Sequence, residues 1–252
     1  MSGATDATPS AGLDERLRAL SFAVGIALVA YAVGNVTLAV VAVFLQSAGV
    51  ALFDDRALLV LLGTFAIQGV GYCGAVAVYV DRSGRRDLLR VRAPTARDLA
   101  VVVVGFLGLL GVLFGLDVLF DALGIRLAES NIVATGLGSP SLLLVLAVLS
   151  VVLVGPAEEL LYRGLIQGRL RETVGPVGAV ALTSAIFAPV HVFGLSGSPL
   201  AVAATLGAIF VLSLVLGTLY ELTGTLVVPA LIHGLYNASQ FLIAYLGVGG
   251  GV

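Results

Sequence analysis

The chain has 252 residues, 59% of them hydrophobic and only 11% charged, with a formal net charge of −2. A soluble domain of this length could not bury so much apolar surface, and the mean hydropathy of +1.11 assigns the chain to the membrane. The near-neutral balance offers nothing to nucleic acid, and a single cysteine, Cys73, excludes an internal disulfide and any multi-cysteine metal cluster.

Residues 1–19 are expected to form a disordered polar tail, since Met1 to Asp14 is rich in Ser, Thr, Ala and Gly. It lacks the basic start and short apolar run of a signal peptide. Beyond it, the apolar runs are long. Crossing a hydrocarbon core of roughly 30 Å takes about 20 mostly apolar residues. On that measure the sequence predicts an all-α, polytopic membrane helix bundle with spans at 20–46, 57–80, 99–120, 142–172, 175–193, 200–220 and 225–246. Together they make a single transmembrane domain over 20–246. The fourth span is too long for one plain crossing and must bend, tilt or protrude.

All basic residues are arginine, and their loops alternate. Arg16 and Arg18 precede the first span; Arg82, Arg85, Arg86, Arg90, Arg92 and Arg97 follow the second; Arg169 and Arg171 end the fourth. The intervening loops carry Asp54, Asp55, Asp121 and Glu129 with only Arg56 and Arg126. The positive-inside rule then puts the N-terminus in the cytoplasm of an integral cell-membrane protein. The loop from Asp81 to Asp98 is expected to anchor the topology against anionic lipid.

Ionisable side chains inside spans are costly and mark function. The last four spans hold Glu158, Glu159, Arg163 and the two histidines of the chain, His191 and His233. Glu159 and Arg163 stand four apart with the acid first, the favourable order for a helical ion pair. Successive helical residues point about 100° apart, so Glu158 faces elsewhere and is the free carboxylate of the pair. Phe187 shares a helix face with His191, and His233 with Asn237. At about 1.5 Å per residue, Glu158 and His191 lie roughly 22–24 Å from a turn near Thr173. His233 and Asn237 lie roughly 14–20 Å from a turn near Gly224. The three helices therefore bring these groups to a common depth. Gly155-Pro156 and Pro189 are expected to loosen the helices beside them.

A carboxylate in a low-dielectric pocket can serve as a general base. Glu158 and His191 suit the activation of a water molecule; His233 and Asn237 suit hydrogen bonding to an oxyanion. No serine or cysteine sits in a nucleophile motif, and Cys73 lies on the second span. A competing arrangement makes Glu158, His191 and His233 ligands of a divalent metal such as zinc, although no His-Glu-x-x-His helix is present.

At these residues the chain resembles the CAAX-protease and bacteriocin-processing (Abi) family of intramembrane proteases, which includes the type II CAAX prenyl endopeptidases. The family's motifs are Glu-Glu-x-x-x-Arg, Phe-x-x-x-His and His-x-x-x-Asn. They stand here as Glu158-Glu159 with Arg163, Phe187 with His191, and His233 with Asn237, in the family's order and on separate spans. The resemblance covers about 142–246, the expected catalytic core; the first three spans match only in being hydrophobic. It implies an intramembrane endopeptidase in which Glu158 activates water with His191, His233 and Asn237 stabilise the oxyanion, and Glu159 and Arg163 support the site. The implied partner is a peptide or a lipidated protein, for example a prenylated one, entering from the membrane or the cytoplasmic side. Two rivals share the buried charges: a proton-coupled carrier, and a catalytically idle membrane scaffold or immunity protein. No internal repeat supports the first, and a scaffold has little use for a free buried carboxylate.

Overall fold

The computed structural model describes residues 12–249. Six helical stretches are long and apolar enough to cross a membrane: Leu13–Ser47, Arg56–Ser83, Ala96–Ala122, Pro140–Gly194, Pro199–Thr223 and Val227–Val248. The fourth stretch is two helices, because Gly175 (φ 72°, ψ 175°) breaks it. Pro176, which starts the next helix, suits the turn. Counting 140–174 and 176–190 separately makes seven helices, matching in order the seven segments expected from hydropathy. We refer to them as the first to seventh helices, the seventh running over Val227–Gly249. The chain is an all-α, multi-pass integral membrane protein.

The expected tail falls partly outside the described residues, 1–11 lying beyond them; over 13–19 the chain is already helical, since the first helix starts at Leu13. Asp14 and Glu15 occupy its first turn, where carboxylates meet the unpaired N–H groups. Other helix ends follow local chemistry. Thr95 and Asp98 form a reciprocal capping box at the third helix, and Ser198 caps the sixth ahead of Pro199. Gly84 and Gly224 close the second and sixth helices in the left-handed conformation.

Two apolar clusters make the bundle. One joins the first, second, fourth and fifth helices around Ala23, Tyr72, Leu161, Tyr162 and Phe187. The other joins the third, sixth and seventh around Leu109, Leu216 and Ile232. Glycines set how closely helices cross. A Cβ on Gly71 would stand 2.5 Å from the Ala30 carbonyl oxygen, and one on Gly34 2.6 Å from Ile67 Cα, so the first two helices touch through their backbones. A Cβ on Gly234 would lie 2.7 Å from the Ser150 carbonyl oxygen, and one on Gly155 2.7 Å from that of Ala230. The fourth and seventh helices thus meet backbone to backbone, and they do so at the seam between the two clusters.

Two short features close the ends. Glu129–Ser130 pairs antiparallel with Leu195–Ser196, tying the approach to the fourth helix to the exit of the fifth. At the opposite, arginine-rich end the loop after the second helix folds onto the protein. Arg85 pairs with Asp87 at 2.8 Å and also with Glu172, while Arg90 donates to the Tyr220 hydroxyl at 3.0 Å. Arg171 and the Gln167 amide both hold Glu221, at 3.0 and 2.9 Å. Arg92 binds Asp98 through two nitrogens. Three of the arginines expected to serve the lipid surface are therefore committed to carboxylates or a tyrosine of the protein itself.

Candidate active site

The fourth helix does not wind uniformly. It is π-helical over Ser150–Val154, α-helical over Gly155–Glu159, and π-helical again over Leu160–Gln167. Pro156 has no N–H to return to the carbonyl four residues back, and the wider winding just before it accommodates that loss. Glu158 and Glu159 sit between the two widened segments, and both are buried. The loosening expected at Gly155-Pro156 is present. At Pro189 the fifth helix stays α-helical to Val190, then narrows to a 3-10 turn over His191–Gly194.

Glu159 is fully buried, ion-paired on one oxygen and hydrogen-bonded on the other. Arg163 Nε lies 3.1 Å from Oε2, and the Nδ1–H of His233 donates to Oε1 at 2.8 Å. Arg163 is itself 0% exposed; it donates to the Ser213 hydroxyl at 2.9 Å and lies over the Phe187 ring at 5.0 Å. The helical ion pair expected four residues apart is formed, and it reaches a third helix through His233.

Glu158 points the other way, as helical geometry requires. One oxygen, Oε1, accepts a hydrogen bond from Gln68 Nε2 at 2.8 Å. The other, Oε2, is buried without a hydrogen-bond partner among the described residues and lies 3.7 Å from His233 Nε2. His233 thus stands between the two carboxylates, Nδ1 on Glu159 and Nε2 toward Glu158.

His191 joins through Phe187. The two rings are 4.7 Å apart, and Phe187 is 6.0 Å from the His233 ring. Its Nδ1 must carry hydrogen, because it bonds the Phe187 carbonyl oxygen at 3.1 Å, so Nε2 is left as the basic nitrogen. Half-buried, His191 is the open edge of the group. Asn237 lies one turn beyond His233 on the seventh helix, half-buried and outside this hydrogen-bond network. Among the described residues no three His, Cys, Asp or Glu side chains form a group that could hold a metal.

Two participants escaped the sequence reading. Gln68 comes from the second helix, which was credited with hydrophobicity alone. Ser213 of the sixth helix supplies both its hydroxyl and its carbonyl to Arg163. The one signal for Gln68 was an amide amid the glycines of Gln68-Gly69-Val70-Gly71, a polar group with no charge to draw notice. Tyr162 and Tyr72 pack edge-on at 5.9 Å, and Tyr162 lies edge-on to Phe187 at 4.8 Å, so aromatic members of the first cluster pack beside the group.

No curated protein and no solved structure matches the chain. Residues 140–239 match the family described as type II CAAX prenyl endopeptidase Rce1-like. That stretch runs through the fourth to seventh helices and carries Glu158, Glu159, Arg163, Phe187, His191, His233 and Asn237. Over this segment, which is less than half of the chain, the protein is similar to the Rce1-like family.

Proposed function

We propose that the protein is an intramembrane endopeptidase that hydrolyses a peptide bond of a membrane-associated substrate with water activated by Glu158. The observation that carries the reading is the Glu158 carboxylate: buried in lipid-depth surroundings, held on one oxygen and open on the other. Glu159, at the same depth, is ion-paired to Arg163 at 3.1 Å on one oxygen and hydrogen-bonded to His233 on the other, whereas Glu158 Oε2 lies 3.7 Å from His233 Nε2. Glu158 Oε2 takes the proton of the attacking water, and His191, with Nε2 unengaged, orients the water or shares the proton. The attack makes a tetrahedral oxyanion, which the Asn237 amide and His233 stabilise. With Nδ1 fixed on Glu159, His233 meets the reacting group through Nε2, as acceptor when neutral and as donor once protonated. The proton then passes to the leaving amine.

In this reading Glu159 and Arg163 hold His233 in register rather than touch substrate. The substrate is a peptide tethered to the bilayer, a prenylated one being the first to test, and no metal takes part. Purified wild type is expected to cleave a quenched-fluorescent prenylated peptide, with Glu158→Ala inactive while still folded. Equal turnover by the two proteins would overturn the mechanism. Chelator-treated wild type is expected to keep its rate; loss of activity restored by zinc would replace bare-water activation by metal-assisted hydrolysis.

A further inference from the structure

Gln68 lies outside the family-matched segment, in the π-helical stretch Phe65–Cys73 of the second helix, and is only 8% exposed. An amide at this depth is costly unless hydrogen-bonded, and its bond goes to Oε1 of Glu158, whose other oxygen has no hydrogen-bond partner among the described residues. Its placement is built rather than incidental. The first helix holds the second through the Gly34 and Gly71 contacts, which admit no side chain. Tyr72, further along the same stretch, meets Tyr162 of the fourth helix edge-on, which fixes the rotation of the second helix against Glu158.

Besides Gln68, the charged or polar group that approaches Glu158 is His233, its Nε2 3.7 Å from Oε2. Among the described residues, Gln68 is the only side chain that donates a hydrogen bond to Glu158. A carboxylate without that bond would rotate, presenting either oxygen or turning toward His233 Nε2.

We propose that Gln68 is a positioning residue: it fixes Glu158 through Oε1 so that Oε2 is the oxygen presented to water. The second helix is then part of the catalytic apparatus, and the active unit is larger than the four-helix family segment. This inference rests on Glu158 as the base proposed above, and the test separates the two.

Gln68→Met keeps the length of the side chain and removes the donor. With the prenylated quenched peptide, kcat should fall by about 10- to 100-fold, the range for losing a hydrogen bond to a charged group. KM should stay within about twofold, since no substrate contact is removed. Glu158→Ala is measured alongside. If Glu158→Ala is inactive and Gln68→Met turns over like wild type, the positioning role is wrong and the base assignment survives. If Glu158→Ala is active, both fall. A readout independent of turnover is the thermal unfolding of Gln68→Met, Glu158→Ala and the double variant in detergent. Coupling through the shared hydrogen bond requires that Gln68→Met cost less on the Glu158→Ala background than on wild type; full additivity would overturn the contact.

Discussion

Glu159 and His233 are joined across the seam of the two apolar clusters, the Nδ1–H of His233 donating to Glu159 Oε1 at 2.8 Å. The bond decides which nitrogen of His233 is available. It also ties the fourth helix to the seventh at the point where Gly155 and Gly234 bring their backbones together. Arg163 completes the chain of charge from below, between Glu159 and Ser213 of the sixth helix. Three helices are thus locked by one fully buried carboxylate.

Removing the arginine from that lock should cost stability before it costs chemistry. Arg163→Ala leaves Glu159 with one partner in a site from which water is excluded, a loss of about 3–5 kcal/mol for a broken buried pair. We expect a clearly lowered unfolding temperature in detergent, with activity lost in proportion to the unfolded fraction. Wild-type thermal stability together with abolished cleavage would assign Arg163 to the chemistry instead.

The close crossing of the fourth and seventh helices yields a second expectation. In Gly234→Ala the new methyl group meets backbone, 2.8 Å from Val151 Cα as well as the Ser150 carbonyl, and backbone cannot swing aside. Overpacking of this kind costs about 1–3 kcal/mol and pushes His233 away from Glu159. Both unfolding temperature and kcat should drop. Gly247→Ala, on the same helix with nothing within 4 Å of its Cβ, should behave as wild type. Equal behaviour of the two variants would show that the crossing does not depend on the missing side chain.

The seven helices and the Glu159–Arg163 pair were legible in the sequence because each rests on a short-range rule: hydropathy over one span, and four residues along one helix. The break between the fourth and fifth helices was legible for the same reason, since Gly175-Pro176 is local chemistry. What sequence could not show is which helix faces which. His233 and Asn237 share a face, which suggested a joint role, yet His233 bonds Glu159 because of a glycine crossing between helices far apart in the chain. Gln68 was hidden for a related reason. A search for charges passes over an amide, and its partner is 90 residues away. The loop from Asp81 to Asp98 read as a lipid anchor because its arginines were counted without the partners, Glu172, Tyr220 and Glu221, that other helices bring to them.

His191 and Asn237 should behave opposite to Arg163. Both are half-buried, and neither bonds another side chain of the buried network, so truncation leaves no buried charge unpaired. We expect His191→Ala and Asn237→Ala to unfold near the wild-type temperature. Removal of one oxyanion donor commonly lowers kcat by about 10²–10³-fold, the loss expected for Asn237→Ala. His233→Ala should show both defects, since Glu159 loses a partner at the same time. If Asn237→Ala retained full kcat, the oxyanion role would have to pass to another donor.

The two faces of the bundle differ in charge, and this difference fixes the expected orientation. The arginine-rich loop and the ends of the fourth and sixth helices lie together, tied by Glu172 and Glu221. By the positive-inside bias we expect this end, and with it the N-terminus, to lie in the cytoplasm. Ser83 and Ser47 are exposed at the arginine-rich end of the second helix and at the opposite end of the first. In a Cys73→Ser background, Ser83→Cys should react with a membrane-impermeant maleimide only in inside-out vesicles, and Ser47→Cys only in right-side-out ones. The reverse pattern would invert the protein. It would also turn the His191 edge of the site, which lies away from the arginine-rich end, from the outer face to the cytoplasmic one, and change the peptides that could reach Glu158.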